Sequence, residues 1–146
     1  MTSLKKTDAF RYKYKTSIPI RFNDFDALGH ANNAVYLTYF EIARSAYWKE
    51  IIEWDWSETG VIIASAEIQF LKPIVLNDEI FAYVRTTHLG TTSFTLEYAL
   101  VRSVNGAEEI CTTGSTVCVS FDYITNQKAP IPEGYRSRML EFEALV

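Results

Sequence analysis

Residues 20–53, IRFNDFDALGHANNAVYLTYFEIARSAYWKEIIE, carry the pattern from which the fold is read. The portion NDFDALGHANN is polar and contains Gly29, so it reads as a loop leading into a helix. Beyond it Tyr36, Phe40, Ala43, Tyr47 and Ile51 recur at helical spacing, and Asn32 stands where a helix cap is wanted. Val35, Tyr39, Ile42 and Ala46 widen the apolar stripe, leaving Thr38, Glu41, Arg44, Ser45 and Lys49 as a narrow polar seam. A stripe so wide belongs to a helix buried over most of its circumference. The spacing therefore predicts one long central helix reaching about Glu53.

Upstream, residues 11–22 alternate: Tyr12 and Tyr14 against Lys13 and Lys15, then Ile18, Ile20 and Phe22 against Pro19 and Arg21. Period two predicts a strand, with Pro19 marking an edge or an irregularity. Downstream, residues 61–71, 79–89, 92–103 and 108–123 all read as strand. Lys72-Pro73, Asn77-Asp78 and Gly90 punctuate them, and Asn105-Gly106 is a strong hairpin signal. The segment from Thr125 holds Pro130, Pro132 and Gly134 and is expected to cross the surface. Strand, long helix and four consecutive strands able to pair as a meander predict an α+β fold: a curved antiparallel sheet of about five strands around the helix. The exposed edges and open face of such a sheet invite pairing with a second copy.

The 146 residues fit a single domain, with residues 1–10 expected to form a flexible tail. Net charge is -4, which removes the electrostatic reason to expect nucleic acid. No apolar run is long enough for a signal peptide or a membrane span, so a soluble, cytoplasmic protein is expected. Aromatic residues make up 14% of the chain, a share that suggests a ligand site or an interface. Cys111 and Cys118 are separated by an odd interval, which on one strand puts them on opposite faces and argues against a disulfide.

The chemistry is narrowed first by absence. His30 and His88 are the two histidines, and HExxH, GxSxG and the P-loop pattern are all missing. No metal or cofactor is expected. What remains is Asp24-Phe25-Asp26 on the loop, close before the helix N-terminus. A carboxylate there can serve as general base or nucleophile, while unpaired helix N–H groups stabilise a developing oxyanion. A thioester, being already activated, needs no triad. The plainer reading is that such an aspartate only caps a turn. His30 beside Gly29 is on the same footing, more ordinary as a turn residue than as a base, and Glu41 has Arg44 and Ser45 as near partners on the seam. Glu41 is nonetheless a second candidate carboxylate, because it sits in a narrow polar strip on a buried helix.

Residues 21–44, RFNDFDALGHANNAVYLTYFEIAR, together with the Ile20 before them, resemble the opening motif of the 4-hydroxybenzoyl-CoA thioesterase family of hotdog-fold proteins. FLKPIVLND, Gly90 with Ser93, and VSFDYITNQKAPIP resemble later family segments, so the likeness covers about residues 12–136. It implies a hotdog acyl-CoA thioesterase whose catalytic aspartate is Asp26, in the string DALG, and not Asp24. It implies an oxyanion donor at the backbone N–H of Asn33, with Gly90, Thr91 and Ser93 in contact with CoA. Tyr36 and Phe40 are candidates to line an acyl pocket, though their helical spacing makes core packing the plainer role. It also implies homodimers, often paired into tetramers. His30-Ala31-Asn32-Asn33 departs from members with hydrophobic residues there, which brings His30 into consideration as a polar helper. Some hotdog thioesterases take their carboxylate from the central helix, which again points to Glu41. The rival activities are acyl-thioester hydration or dehydration, with His30 handling protons, and acyl-thioester binding without turnover.

Overall fold

The computed structural model describes residues 11–144, so the expectation of a flexible tail at residues 1–10 lies outside the described residues. Strand β1 (Tyr14–Ile18) is shorter than the alternation suggested. Tyr14 and Ile18 point into the core while Lys15 and Ser17 face solvent, and Pro19, which has no N–H to donate, follows the last paired residue. A single 3-10 turn (Phe22–Asp24) and the loop lead to helix α1 (Val35–Tyr47). Asn32 holds the helix entry: its carbonyl accepts the Val35 N–H at 2.9 Å and its side chain accepts the Ala34 N–H at 3.0 Å.

The single helix expected to reach Glu53 changes character before its end. A π-helical turn (Trp48–Ile52) follows α1 and is closed by Glu53 in the left-handed region, φ 56°. The wider turn lets Trp48 and Ile52 both face the core, at 5% and 0% exposure.

Strands β2 (Thr59–Phe70), β3 (Ile80–Leu89), β4 (Ser93–Val104) and β5 (Ala107–Asp122) follow, with a two-residue β6 (Gln127–Lys128). They form one curled antiparallel sheet of order β1-β3-β4-β5-β2, with β6 paired to β5. Only β3, β4 and β5 form the expected meander. β2 pairs with β5 at the far edge, not with β3, because residues 71–79 carry the chain back across the sheet end. Alternation fixes which face a strand buries and leaves its neighbour undetermined. The Asn105-Gly106 turn has both residues at positive φ, 51° and 79°, as a type I′ hairpin requires.

Two further expectations are corrected. Cys111 and Cys118 are free and both sit in the same core, because Cys111 is the extra residue of a β-bulge between the Leu100–Thr112 and Val101–Ile110 pairs. The bulge breaks the parity on which their opposite placement rested. The segment from Thr125 does not simply cross the surface: after β6 it forms helix α2 (Glu133–Glu143), which seats Met139 fully in the core. Among the described residues the architecture is thus six strands and two α-helices, where about five strands and one helix were expected.

The core lies between α1 and the sheet. Phe40 stacks on Tyr98 of β4 at 4.3 Å, Tyr47 packs edge-on to Tyr14 at 5.5 Å, and the Tyr47 hydroxyl bonds Thr86 Oγ1 at 2.9 Å. α2 closes the far end, where Tyr135 stacks on Trp54 at 4.3 Å and Arg138 donates to the Ile52 carbonyl at 2.6 Å.

At the end of α2, Glu143 accepts the Thr86 N–H at 2.8 Å beside a bulge in β3. Burial pushes its carboxyl up to about 7, against the lowering effects of the Thr86 bond, Arg85 and Lys13. An unfolded glutamate titrates near about 4.3. The folded state therefore holds this proton more tightly, and the group's stabilising contribution is lost as pH rises from about 4.3 through about 7. The Glu143→Gln amide keeps an acceptor for Thr86 without titrating. The melting temperature of the native protein should fall relative to that of Glu143→Gln between about pH 5 and about pH 8; parallel curves would contradict the assignment.

Candidate active site

The loop between β1 and α1 owes its shape to Asp24, which is 1% exposed. Asp24 Oδ1 accepts from Arg21 Nε at 3.1 Å and Nη2 at 2.9 Å, while Oδ2 accepts the Arg21 N–H at 2.8 Å and the Tyr39 hydroxyl at 2.9 Å. Its carbonyl accepts the Asn32 N–H at 2.8 Å. Burial alone would raise this carboxyl, but the Arg21 and Tyr39 hydrogen bonds outweigh it and hold the group below the usual carboxylate range. Burial, and then the Asp24 bond, pushes the Tyr39 phenol up. One carboxylate thus ties the segment after β1, the loop and α1 together.

Inside that frame Asp26 is exposed, and its Oδ1 is engaged by the backbone: Leu28 N–H at 2.9 Å and His30 N–H at 3.2 Å. Its own N–H and carbonyl meet His30 O at 2.9 Å and Gly29 N at 3.1 Å. Gly29 supplies the positive φ, 79°, that closes this turn. The second oxygen of Asp26 has no hydrogen bond among the described residues, and Asp26 lines a cleft of about 350 Å3.

Residues 70–73 form the facing wall of that cleft, docked by Ala31 N–H to Ile74 O at 2.8 Å and a bridge between His30 and Val75. Lys72 pairs with Glu109, which also meets Arg102 at 3.4 Å; Arg102 in turn binds Asp78 at 2.8 Å and the Pro73 carbonyl at 3.3 Å. The Lys72 hydrogen bond holds Glu109 below its ordinary range. Asp78 accepts the Val75 N–H at 2.9 Å, so this network holds the wall as Asp24 holds the loop.

Asp26, His30, Asn33 and Tyr36 all line the cleft. At the helix mouth the Asn32 N–H goes to Asp24 and the Ala34 N–H to Asn32 Oδ1, which leaves the Asn33 N–H without an acceptor among the described residues. Two residues of the cleft lining thus carry polar groups without a partner among the described residues: one carboxylate oxygen of Asp26 and the N–H of Asn33. The other candidates lie elsewhere. Glu41 is exposed on α1, 3.6 Å from Arg44, and is not part of the cleft wall. Gly90, Thr91 and Ser93 form the β3–β4 loop, braced by Gly90 N–H to Ser93 O at 2.7 Å, Ile131 N–H to Thr91 O at 2.9 Å and Arg136 to Gly90 O at 2.5 Å. A recess of about 340 Å3 beside Tyr12, Glu67 and Glu97 has Glu97 committed to Arg85 at 3.0 Å. Among the described residues no three His, Cys, Asp or Glu side chains gather as a metal-binding set, and no helix is long and apolar enough to cross a membrane.

The sequence profile of the thioesterase-like superfamily matches residues 20–139, the span that contains this cleft. The chain belongs to that superfamily. It is 31% identical over 109 residues to the uncharacterized protein YsmA of Bacillus subtilis, covering 74% of this chain and 72% of YsmA. A thioesterase of Thermus thermophilus, solved with coenzyme A and zinc, superposes with a TM-score of 0.80 at 34% identity, over 93% of this chain and 98% of its own. The PA5185 protein of Pseudomonas aeruginosa superposes with a TM-score of 0.82 at 26% identity, over 91% and 93%. The superfamily's curled sheet and hotdog architecture are those of this chain. Membership supports thioesterase chemistry at the level of the family.

The clamp role of Asp24, the place of Phe70 in the cleft lining and the Lys72 network were missed from sequence. Asp24 carried a signal, since Arg21 stands three residues before it and can fork onto it. The network joins residues far apart in sequence and left no local trace. Tyr39→Phe removes one hydrogen bond to the buried Asp24 carboxylate and should cost about 1.5–3 kcal/mol, read as a lower urea midpoint at unchanged slope. An unchanged midpoint would show that the clamp does not hold the loop.

Proposed function

We propose that this protein hydrolyses acyl-CoA thioesters to the free acid and CoA, with Asp26 as the reacting carboxylate. The observation that carries the reading is the pairing, in one cleft, of the open Asp26 oxygen with the unengaged Asn33 N–H. The thioester carbonyl oxygen would sit at the α1 N-terminus, where the Asn33 N–H and the helix dipole favour the charge formed on attack. Asp26 would take a proton from water as its oxygen adds to the carbonyl carbon, or add to that carbon itself and be released by water. The carbon–sulfur bond then breaks and the CoA sulfur leaves, to be protonated. Asp26 Oδ1 bonds to Leu28 and His30 orient the carboxylate, so the turn-capping role and the chemical role coexist in one residue. The CoA complex of the Thermus thermophilus relative supports CoA as the carrier.

Asp26→Asn preserves an oxygen to accept both N–H groups, so it should fold as the native protein does. Thiol release from a panel of acyl-CoAs should proceed with the native protein and drop by about 10²-fold or more with the variant. If the variant keeps its activity, Asp26 is only a cap. His30 on the cleft wall favours hydration or dehydration as the second reading. In that case an enoyl-CoA would lose its conjugated absorbance without releasing thiol. Tight binding of esters that stay intact would favour a binding protein.

The working unit we propose is a symmetric oligomer built on β2. This edge strand carries a single charge, Glu67, and no lysine or proline to guard it, and Ala64, Ser65, Ala66, Glu67 and Gln69 are exposed along it. Sedimentation equilibrium should give at least twice the chain mass, and Ala66→Pro should lower it. A native monomer would overturn this part of the proposal.

A further inference from the structure

The last turn of α2 is held on the sheet through one acidic side chain whose own hydrogen-bonding needs are half met. Strand β1 begins at Tyr14, opposite Val84, so the next N–H on that side of β3, that of Thr86, has no ladder partner. Glu143 Oε2 accepts it at 2.8 Å, standing in for a strand neighbour. The other oxygen, Oε1, is buried and has no hydrogen-bond partner among the described residues. Directly beyond Thr86 a β-bulge interrupts the pairing with β4. Tyr47 of α1 reaches the same threonine, hydroxyl to Oγ1 at 2.9 Å, and Phe142 packs edge-on against that tyrosine at 6.0 Å.

The charges around Glu143 do not pair with it. Arg11, Arg85, His88 and Glu97 line with it a pocket of about 290 Å3, and Lys13 acts on it from the β1 side. Arg85 is committed elsewhere: its Nε donates to Glu97 at 3.0 Å and its guanidinium lies over the Tyr12 ring at 5.2 Å. Glu50, Arg138 and Glu141 border a separate groove beside Phe142. The Tyr47 phenol is pushed up by burial and then by the Glu143 charge, so it stays neutral. This pocket shares no lining residue with the Asp26 cleft.

We infer that Glu143 is a proton-operated latch: with its proton it fastens the last turn of α2 to the free edge of β3, and on losing the proton it leaves Thr86 and lets that turn move into water. Ionised in place, the carboxylate buries an oxygen that has no donor; in water the same oxygen is fully solvated. The turn is weakly held by the helix itself, because α2 closes on Ala144 in the left-handed region, φ 55°, which disfavours a residue with a Cβ. The body of the helix is anchored independently, by Met139 in the core, Tyr135 on Trp54 at 4.3 Å and Arg138 on the Ile52 carbonyl at 2.6 Å. Release therefore uncovers Tyr47 and the edge of β3 over residues 86–89 without undocking α2. The carboxyl is pushed up to about 7 when the latch is closed and titrates near about 4.3 in water, so closure weakens as pH rises between those values and is level above about 7.

Hydrogen exchange of the Thr86 amide, corrected for the intrinsic exchange rate at each pH, reads the latch directly. In the native protein its protection should fall by about tenfold per pH unit from about pH 5 to about pH 7 and then level off. At every pH it should exchange at least about tenfold faster than the Tyr98 amide in the central strand β4, because the turn opens without global unfolding. Glu143→Gln, which keeps an acceptor and cannot ionise, should make the Thr86 protection independent of pH. Native Thr86 protection that does not change with pH overturns the latch. So does protection equal to that of Tyr98, which would mean that Thr86 opens only when the whole domain unfolds, and so does the same decline in Glu143→Gln, which would assign the titration to another group.

Discussion

The buried carboxylate of Asp24 is the constraint on which the rest of the site depends. Placing an ionised group at 1% exposure is costly unless it is paired and fully hydrogen-bonded, and Arg21 and Tyr39 supply four donors to its two oxygens. The consequence is geometric. Arg21 stands just before the 3-10 turn that follows β1 and Tyr39 in the second turn of α1, so satisfying one carboxylate sets the distance between them. The loop that carries Asp26 has its path defined at both ends. Leu28, Gly29 and His30 then wrap the backbone around Asp26 Oδ1 and leave its other oxygen open. Two aspartates two residues apart thus differ in state: one is buried and saturated, the other exposed and half-engaged.

The opposite wall obeys the same logic. Lys72, Glu109, Arg102 and Asp78 form a chain of alternating charge that pins residues 72–78 against the sheet. The strand order matters here. Because β2 lies at the far edge, its connection to β3 must pass the sheet end, and that crossing segment is what docks on Ala31 and His30 to close the cleft. A meander through all four strands would have removed the wall.

Local patterns were readable in the sequence, and what depended on distant partners was not. The 3.6 periodicity from Tyr36 to Tyr47, the period-two strands and the Asn105-Gly106 hairpin are encoded in neighbouring residues, and they appear as expected. The position of β2 was not readable, since one strand's alternation is compatible with several neighbours. The Cys111 bulge inverted an argument from parity. Helix α2 was hidden because its apolar face is thin: Tyr135, Met139 and Phe142 stand among charged residues, though Pro132 and Glu133 were a fair helix-start signal. For the site, the string DALGHANN indicated where to look, and the cleft does gather Asp26, His30, Asn33 and Tyr36. Glu41 and the Gly90 loop lie apart from it, and the contact of Tyr36 with Phe70 in the cleft lining follows from packing that no local pattern records.

The central claim is that a thioester carbonyl is held between the Asn33 N–H and the Asp26 carboxylate. A crystal structure with a CoA ketone analogue, in which a methylene separates sulfur from the carbonyl, tests it most directly. The account predicts the ketone oxygen at about 2.7–3.1 Å from the Asn33 nitrogen, with the open oxygen of Asp26 facing the carbonyl carbon directly or through one water. A carbonyl bound away from the α1 N-terminus, against Glu41 or within the β3–β4 loop, would contradict it.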